Sequence, residues 1–326
     1  MINASNVVVF DNRGIPSIMV KFERPQKDPV TPKTFIIGDM VVDAIYISKY
    51  PNTVINGRAY SLPMVDPAAN ITFNEAVEAC RAKGSGWHLM TAVEWEYILN
   101  DSREKNTLPH GNTDWGKDYY HEEEKGEREG CGYGRTLTGS GPATWYHDHT
   151  VYGVSDLNGN VWEWLAGLRL MEGNIEHIQN NDAALHDIDL SRDSKAWQAV
   201  EINGHPARFT ACDGEIKIVA DDTQDEPDFD GVPWKDLQVE LKEVPEALKD
   251  LGLVLDWDKR KEEIEKEAYI WIDTNGERLP LRGSSFNNTS HSGPSALLLH
   301  YPRSFSHGHV GFRSAFYEVN GKLITD

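Results

Sequence analysis

A stretch near the C-terminal end of the chain lacks acidic residues altogether. Residues 282–316 contain no Asp or Glu, and also no Lys, Gln, Met, Trp or Cys. The whole chain has 52 acidic residues among 326, so a window of this length should hold about five or six. The absence is therefore a property of this segment, and a need for solubility does not explain it.

The chain as a whole is poor in cysteine, positive charge and long apolar runs. Its three cysteines, Cys80, Cys131 and Cys212, are too widely spaced for a disulfide framework or a zinc motif, which favours a reducing compartment. A net charge of −20 argues against nucleic acid and anionic membranes as partners. No apolar run approaches the roughly 20 residues of a membrane span. The start shows no signal-peptide pattern, so we expect cytoplasmic synthesis without membrane insertion.

Local patterns predict strands first and helices next. Val, Ile, Phe and Tyr are frequent in 6–10, 17–22, 34–37 and 41–47, which predicts strands. Two capping boxes, Thr72 with Glu75 and Thr91 with Glu94, open predicted helices, the second ending near Asn100 and Asp101. An Asn-Gly turn then precedes a strand with two tryptophans at 162–164. Further helices are predicted at 245–251 and 259–268.

Within the acid-free segment, apolar and imidazole residues fall at alternate positions. Alternate residues of a strand share one face, so Leu297 and Leu299 are predicted to be buried while Leu298 and His300 point away from the core. A row of exposed aromatic and imidazole side chains is typical of a contact surface. An ordinary polar ending rich in Ser and Gly is the alternative.

A frame of recurring residues surrounds these positions. It reads RGSSFNN, then SALLL, PRS and VGFR, and it contains Arg282, Arg303 and Arg313. The frame resembles the variable region of proteins diversified by diversity-generating retroelements. In that family, mutation of template adenines turns Asn codons into NNY codons, which never encode Lys, Glu, Gln, Met or Trp. The resemblance thus implies five of the absences, although Asp is an NNY residue and its absence is not explained in this way.

Three separated motifs resemble the formylglycine-generating enzyme class of the C-type lectin fold. They are AVEACRAKGSGWHLMTAVEWEY at 76–97, GVSDLNGNVWEW at 153–164, and the LRGSSF…GFR ending. The resemblance implies an α+β fold with two helices on antiparallel sheets. We predict an N-terminal strand segment at 1–32, a C-type lectin-like domain at 33–326 and a variable region at about 282–316. The stretch at about 166–277 is interpreted as an insertion that decorates the surface.

The resemblance also bears on catalysis. Formylglycine-generating enzymes bind copper through a C-terminal cysteine pair, and Cu(I) prefers such soft thiolates. Residues 282–316 contain no Cys, and Cys80 is expected to be buried in a helix. We therefore expect a protein that is not an enzyme and requires no cofactor. A metal-dependent oxygenase of the formylglycine-generating or sulfoxide-synthase type is the alternative.

Two kinds of metal site were considered. In the resembled family the GNVWEW turn holds calcium, which implies Asp156, Gly159, Val161 and Glu163 as oxygen ligands here. A turn capped by Asp156, with Glu163 paired to an arginine, is the alternative. The pairs His147/His149 and His307/His309 have strand spacing, but a third ligand is not evident for either, and ordinary hydrogen bonding or surface contact is favoured.

These observations predict a ligand-binding protein whose C-terminal surface is diversified. We predict that the protein contacts a protein ligand or a cell-surface receptor. We also predict that the protein itself is displayed in several copies, as a homo-oligomer or on a phage virion, because several linked contacts raise avidity. Aromatic and imidazole groups supply rigid contact area, and Ser and Asn supply adaptable hydrogen bonds. The predicted contact residues, called the variable face below, are Asn287, Asn288, Ser290, His291, Leu298, His300, Tyr301, Phe305, His307 and His309.

Overall fold

In the part of the chain that the structure describes, two helices pack among several small sheets, and a third, short helix lies inside the predicted insertion. This computed structural model describes residues 4–26, 30–130, 132–221, 228–254, 265, 267–319 and 322–323. The helices are α1 (Phe73–Arg81), α2 (Ala92–Lys105) and α3 (Glu246–Asp250). Most of the remaining regular structure is antiparallel strand, so the predicted α+β class is confirmed.

Both predicted capping boxes are present. In α1 the Thr72 hydroxyl accepts a hydrogen bond from the Glu75 amide, and the Glu75 carboxylate accepts one from the Thr72 amide. The same reciprocal pair of hydrogen bonds occurs at the start of α2 between Thr91 and Glu94. These reciprocal bonds satisfy orphan amide groups at each helix start.

Helix α2 is longer than predicted. It continues past Asp101 to Lys105 and stops at Asn106, whose φ of 57° is left-handed. Ser102 donates a hydrogen bond to the His147 carbonyl, and Arg103 is buried against Glu96. Tertiary contacts of this kind are invisible to a local pattern, which is why the predicted end was wrong. The helix predicted at 245–251 is found as α3, whereas the one predicted at 259–268 lies mainly outside the described residues.

The strands follow one another along the chain in three groups. In the N-terminal third they are β1 (Ala4–Phe10), β2 (Pro16–Glu23), β3 (Ile36–Ile37), β4 (Met40–Val41), β5 (Ala44–Ser48), β6 (Thr53–Ile55), β7 (Arg58–Tyr60) and β8 (Trp87–Leu89). From the Asn-Gly turn through the predicted insertion they are β9 (Trp162–Trp164), β10 (Leu168–Met171), β11 (Asn174–His177), β12 (Gln198–Ala199), β13 (Glu201–Ile202), β14 (His205–Pro206), β15 (Arg208–Cys212), β16 (Glu215–Val219), β17 (Phe229–Pro233), β18 (Gln238–Val239), β19 (Tyr269–Asp273) and β20 (Glu277–Arg278). The C-terminal strands are β21 (Leu281–Arg282), β22 (Leu297–Leu299), β23 (Val310–Phe312), β24 (Ser314–Val319) and β25 (Lys322–Leu323).

The N-terminal segment and the end of the chain share one sheet. Its order is β1-β2-β5-β24-β25, with β8 also paired to β24. Val20, Ile45, Ile47 and Tyr317 of this sheet pack against Trp95 and neighbouring residues of α2 in one buried cluster. The first strands are thus part of the central architecture and do not form a separate appendage.

A second sheet carries the variable region. Its order is β17-β19-β22-β21-β9-β23, so β17 and β19 of the predicted insertion extend the sheet directly from β22. Strand β19 pairs in parallel with β22, with Ile270 opposite Leu297 and Trp271 opposite Leu298. The insertion is therefore not surface decoration, because its strands complete the sheet on which the variable face lies.

Most of the remaining insertion strands form a third sheet that packs into the same core, while β13 and β14 pair only with each other. Its order is β18-β16-β15-β11-β10-β20, with β12 paired to β11. Ile175, Phe209, Ile216 and Ile218 are fully buried and belong to one cluster with Phe312 of β23. Burial of this apolar surface contributes roughly 25 cal/mol per Å². The insertion and the variable region consequently share one hydrophobic core.

A buried ion pair joins β9 to the turn between β23 and β24. The Arg313 guanidinium donates to both carboxylate oxygens of Glu163, with Nε–Oε2 at 2.6 Å and Nη2–Oε1 at 2.5 Å. It also donates to the carbonyls of Ser48, Ser155 and Asp156. Both side chains are buried, so the bidentate geometry and the carbonyl acceptors must offset the desolvation of two charges.

Removal of Arg313 alone should therefore be costly. We expect Arg313→Met to lower the free energy of unfolding by about 3–5 kcal/mol, because Glu163 would be left buried without its partner. The double variant Arg313→Met/Glu163→Gln should recover part of this loss. Urea denaturation of both variants measures the difference, and a double variant no more stable than Arg313→Met would contradict the explanation.

Candidate ligand-binding face

The backbone of the variable region is held by groups that lie outside it. Main-chain amides of Leu279, Phe73, Asn70 and Trp162 donate to carbonyls at positions 301, 303, 307 and 309, over N–O distances of 2.8–3.2 Å. A main-chain hydrogen bond does not depend on which side chain the accepting residue carries. The path of the chain is thus set independently of the side chains on display.

Scaffold side chains add to this support. The indole Nε1 of Trp95 donates to the Pro294 carbonyl at 3.1 Å, and that of Trp234 donates to the Ser295 carbonyl at 2.9 Å. Arg135 Nη1 donates to the Gly308 carbonyl at 2.8 Å. Because these donors are also outside residues 282–316, changes within the segment would leave them in place.

The frame arginines are anchored internally. Arg282 is buried and donates to the carbonyls of Ser295, Leu251 and Gly252. Arg303 forms a bidentate pair with Glu277, at 2.7 Å for each bond. Although burial alone would raise the pKa of Glu277, the hydrogen bonds and charges of Arg303 and Arg169 hold that pKa below its usual range. Ser304 of the frame is exposed, so not every frame residue is packed.

Each of the ten residues of the variable face retains some solvent exposure. Leu297 and Leu299 are fully buried while Leu298 between them is half-buried, as the alternation predicts. Asn287, His291 and His307 are exposed, and the other seven are half-buried. The side chain of Asn288 also has a local role, since its Oδ1 accepts from the amide and hydroxyl of Ser285. A role of these residues in ligand contact stays a prediction.

Aromatic rings on this face form a continuous row. The rings of Tyr301 and Phe305 are stacked with centroids 3.4 Å apart and planes at 4°, and Phe305 and His307 are parallel at 6.3 Å. His307 and His309 follow at 4.1 Å. Stacked rings cover one another's inner faces, and ring edges carry the positive end of the quadrupole.

Two histidines of the face are held neutral by their surroundings. Burial, reinforced by the nearby His307, lowers the pKa of His309 to about 4. Burial likewise lowers the pKa of His300, although Asp273 acts in the opposite direction. A neutral imidazole can both donate and accept hydrogen bonds. With the arginines paired internally, the face presents aromatic and polar groups with little charge near neutral pH.

Sequence reasoning missed five aromatic residues beside this face. Trp115 and Phe286 pack together at 5.0 Å, and Phe229, Tyr269 and Trp271 come from β17 and β19 of the insertion. The alternation of Tyr269, Ile270, Trp271 and Ile272 was visible in the sequence as a half-exposed strand pattern. Its position beside the variable region was not visible, because β19 pairs with a strand outside the insertion.

The Asn-Gly turn does not present an open cation site. Both oxygens of Glu163 are bound by Arg313, which is the arrangement that the alternative interpretation required. Asp156 accepts from the Gly139 amide and the Ser155 hydroxyl, which leaves its buried Oδ1 without a hydrogen-bond partner in the structure. Gly159 and Val161 are buried in the same turn. Glu163 therefore does not fit the calcium role that the resemblance implies, and calcium binding by this set stays a prediction.

The two histidines of the pair His147/His149 have different environments. His147 is fully buried and its Nδ1 accepts from the Val154 amide, whereas His149 Nε2 bonds to the Leu108 carbonyl. Their rings thus serve different local contacts. Within the described ranges, no three His, Cys, Asp or Glu side chains form a group suited to a metal ion. Cys80 is buried in α1 as expected, and burial raises the pKa of its thiol.

Comparison with known proteins finds a family match in part of the chain. Residues 49–195 match the family described as the sulfatase-modifying factor enzyme 1-like domain. The match confirms the predicted resemblance to the formylglycine-generating enzyme class. A search of the curated proteins found no match. Among the residues that the structure describes, every helix is too short or too polar to cross a bilayer.

Two solved structures are similar to the chain at low identity. Treponema denticola variable protein 1 is 12% identical with a TM-score of 0.36, covering 96% of this chain and 99% of its own. The Major Tropism Determinant I1 variant is 11% identical with a TM-score of 0.34, covering 97% of this chain and 72% of its own. TM-scores this low do not establish a common fold.

The neutral state of His309 has a measurable consequence. A histidine whose pKa falls on folding stabilises the protein above the unfolded-state pKa of about 6.5, and this contribution is lost as the pH falls toward 4. We expect NMR titration to show the His309 ring neutral until the pH approaches 4. His309→Asn should flatten the dependence of stability on pH across this window, and titration of His309 near pH 6.5 would show that its ring is not shielded.

Proposed function

We propose that the chain is a non-enzymatic ligand-binding protein whose variable face is diversified by adenine-directed retroelement mutagenesis. One observation carries the proposal. The backbone of residues 282–316 is held by donors outside the segment, and none of the ten predicted contact residues is fully buried. Such an arrangement lets side chains change while the fold persists.

The missing residue types support the mutational mechanism. A segment written in NNY codons at its variable positions cannot acquire Lys, Glu, Gln, Met or Trp there, and residues 282–316 contain none of them. The structure supplies a physical counterpart. The arginines of the frame are paired or bonded to carbonyls, so they belong to the scaffold and not to the variable set.

The chemistry of the face favours a protein ligand, such as a cell-surface receptor. The rings of Tyr301 and Phe305 are stacked, so their inner faces are covered, and ring edges complement the carbonyl oxygens that cover protein surfaces. A sugar ring would instead need an exposed aromatic face. Rigid aromatic groups with adjacent Ser and Asn are also the composition of antibody loops.

Display in several copies would compensate for a weak single contact. Linking binding sites turns the second contact into an intramolecular event, and avidity rises without any new interaction. We propose assembly on a phage virion or a comparable multivalent surface.

Copper or iron at one equivalent per chain, together with oxygen consumption, would instead favour the oxygenase alternative.

The coding DNA provides the direct test of diversification. We expect a near-identical repeat of the segment encoding residues 282–316 to lie beside a reverse-transcriptase gene. The two copies should differ only where the repeat has adenine. A repeat with differences scattered over all four bases, or no repeat at all, would count against the mechanism.

The scaffold should tolerate loss of the aromatic row. We expect Tyr301→Ser/Phe305→Ser/His307→Ser to lower the free energy of unfolding by about 1–3 kcal/mol, because Tyr301 and Phe305 are only partly buried against the main hydrophobic cluster and His307 is exposed. Arg282→Met is the contrasting variant, since it leaves the carbonyls of Leu251 and Gly252 without this donor at roughly 1–3 kcal/mol each, whereas the Ser295 carbonyl keeps its bond from Trp234. Urea unfolding compares the two, and greater damage from the triple variant would contradict the proposed separation of scaffold and face.

A further inference from the structure

Three aromatic residues of the insertion lie on the same side of the sheet as the variable face. Residues directly opposite one another in a sheet point to the same side. Trp271 is opposite Leu298 across β19 and β22, and Phe229 is opposite Asp273 across β17 and β19. Tyr269 and Trp271 alternate with the buried Ile270 and therefore share this side.

Direct contacts connect the two sets of residues. The Phe229 ring lies 4.3 Å from that of His300, and the Tyr269 ring lies 4.0 Å from that of His291. Trp271 lies between Tyr269 and the scaffold residue Trp162, at 5.2 and 5.8 Å. The aromatic surface thus continues from residues 291 and 300 onto the insertion without a break.

A glycine makes room for Trp271. A Cβ at Gly231, on the neighbouring strand β17, would lie 2.3 Å from Trp271 Cδ1, so any side chain there would collide with the indole. The indole therefore lies over the backbone of β17. Phe229, two residues earlier on the same strand, is 46% exposed. The insertion thus holds the Trp271 ring against β17 and leaves the Phe229 ring exposed beside the variable face.

Charge is distributed unevenly around this surface. Residues 282–316 contain no carboxylate, whereas Asp273 shares the side of the insertion rings and Asp228 precedes Phe229 at the start of β17. Asp273 is also paired with Arg278 at 2.8 Å. Aromatic rings attract Arg and Lys through their quadrupole, and carboxylates do so through their charge. An apolar centre with an acidic border on one side complements a partner that has apolar groups bordered by basic ones.

We propose that Phe229, Tyr269 and Trp271 form a constant part of the ligand-binding face. The partner is a protein segment in which aromatic or aliphatic side chains are flanked by Arg or Lys. The inference rests on the proposed function, because it assigns further residues to the same face. These three residues lie outside 282–316, so they stay unchanged while the variable set is replaced. They supply a common anchor, and the variable residues determine which partner is chosen.

The proposal can be tested by selecting peptides that bind the full chain from a random library displayed on phage. We expect enriched peptides to combine Arg or Lys with Trp, Tyr, Phe or Leu. Calorimetry with the synthetic peptides should show at least tenfold weaker binding to Phe229→Ala and to Tyr269→Ala. Trp271→Phe keeps an aromatic ring and should have a smaller effect. Phe10→Ala is the matched control, since Phe10 is 56% exposed on β1 of the other sheet.

The outcomes separate this inference from the proposed function. Peptides that lose affinity for Phe305→Ala and His307→Ala, but bind Phe229→Ala and Tyr269→Ala normally, would overturn the constant anchor and leave the variable face intact. Peptides unaffected by both sets of variants would overturn both conclusions. Enrichment of acidic sequences would overturn the assigned partner chemistry. Urea midpoints of every variant establish that the loss of affinity does not come from unfolding.

Discussion

Hydrogen bonds from the scaffold to main-chain carbonyls of residues 282–316 are the interaction on which the rest of the structure depends. They use acceptors that every residue type possesses, so they constrain the path of the chain without constraining its side chains. Trp95 and Trp234 extend this support with indole donors to the carbonyls of Pro294 and Ser295. Buried arginines complete it from within the segment, because their guanidinium groups bind carbonyls and carboxylates that are buried as well.

This support has an electrostatic consequence. The arginines of the segment are paired inside the protein, and burial keeps His300 and His309 neutral. The displayed surface is therefore aromatic and polar, although the whole chain has a net charge of −20. Under the proposed function, long-range attraction to a partner would come from the surrounding acidic residues. Short-range contact comes from the rings and the adjacent amides and hydroxyls. Approach and recognition are thereby assigned to different parts of the molecule.

Local elements were largely predictable. The capping boxes of α1 and α2 are present because each depends on two residues three positions apart, and the alternate burial of Leu297, Leu298 and Leu299 follows from the period of a strand. The true end of α2 was not predictable, because Arg103 extends the helix by binding Glu96 and the sequence-distant Glu265. The sequence offered the pairing of Glu163 with an arginine only as one of two alternatives, and it did not identify Arg313 as that arginine, since the two residues are 150 positions apart.

The amino-acid sequence by itself determined the starts of the two main helices and the alternate burial of Leu297, Leu298 and Leu299, and the resemblance of its three motifs implied the α+β class. Each of these follows from local periodicity, composition or motif spacing. Only the tertiary structure decided that β1 and β2 join the C-terminal strand β24 in one sheet, and that Tyr269 and Trp271 lie beside the variable face. Pairing between distant strands depends on which apolar surfaces can be buried together, and no local pattern records that choice.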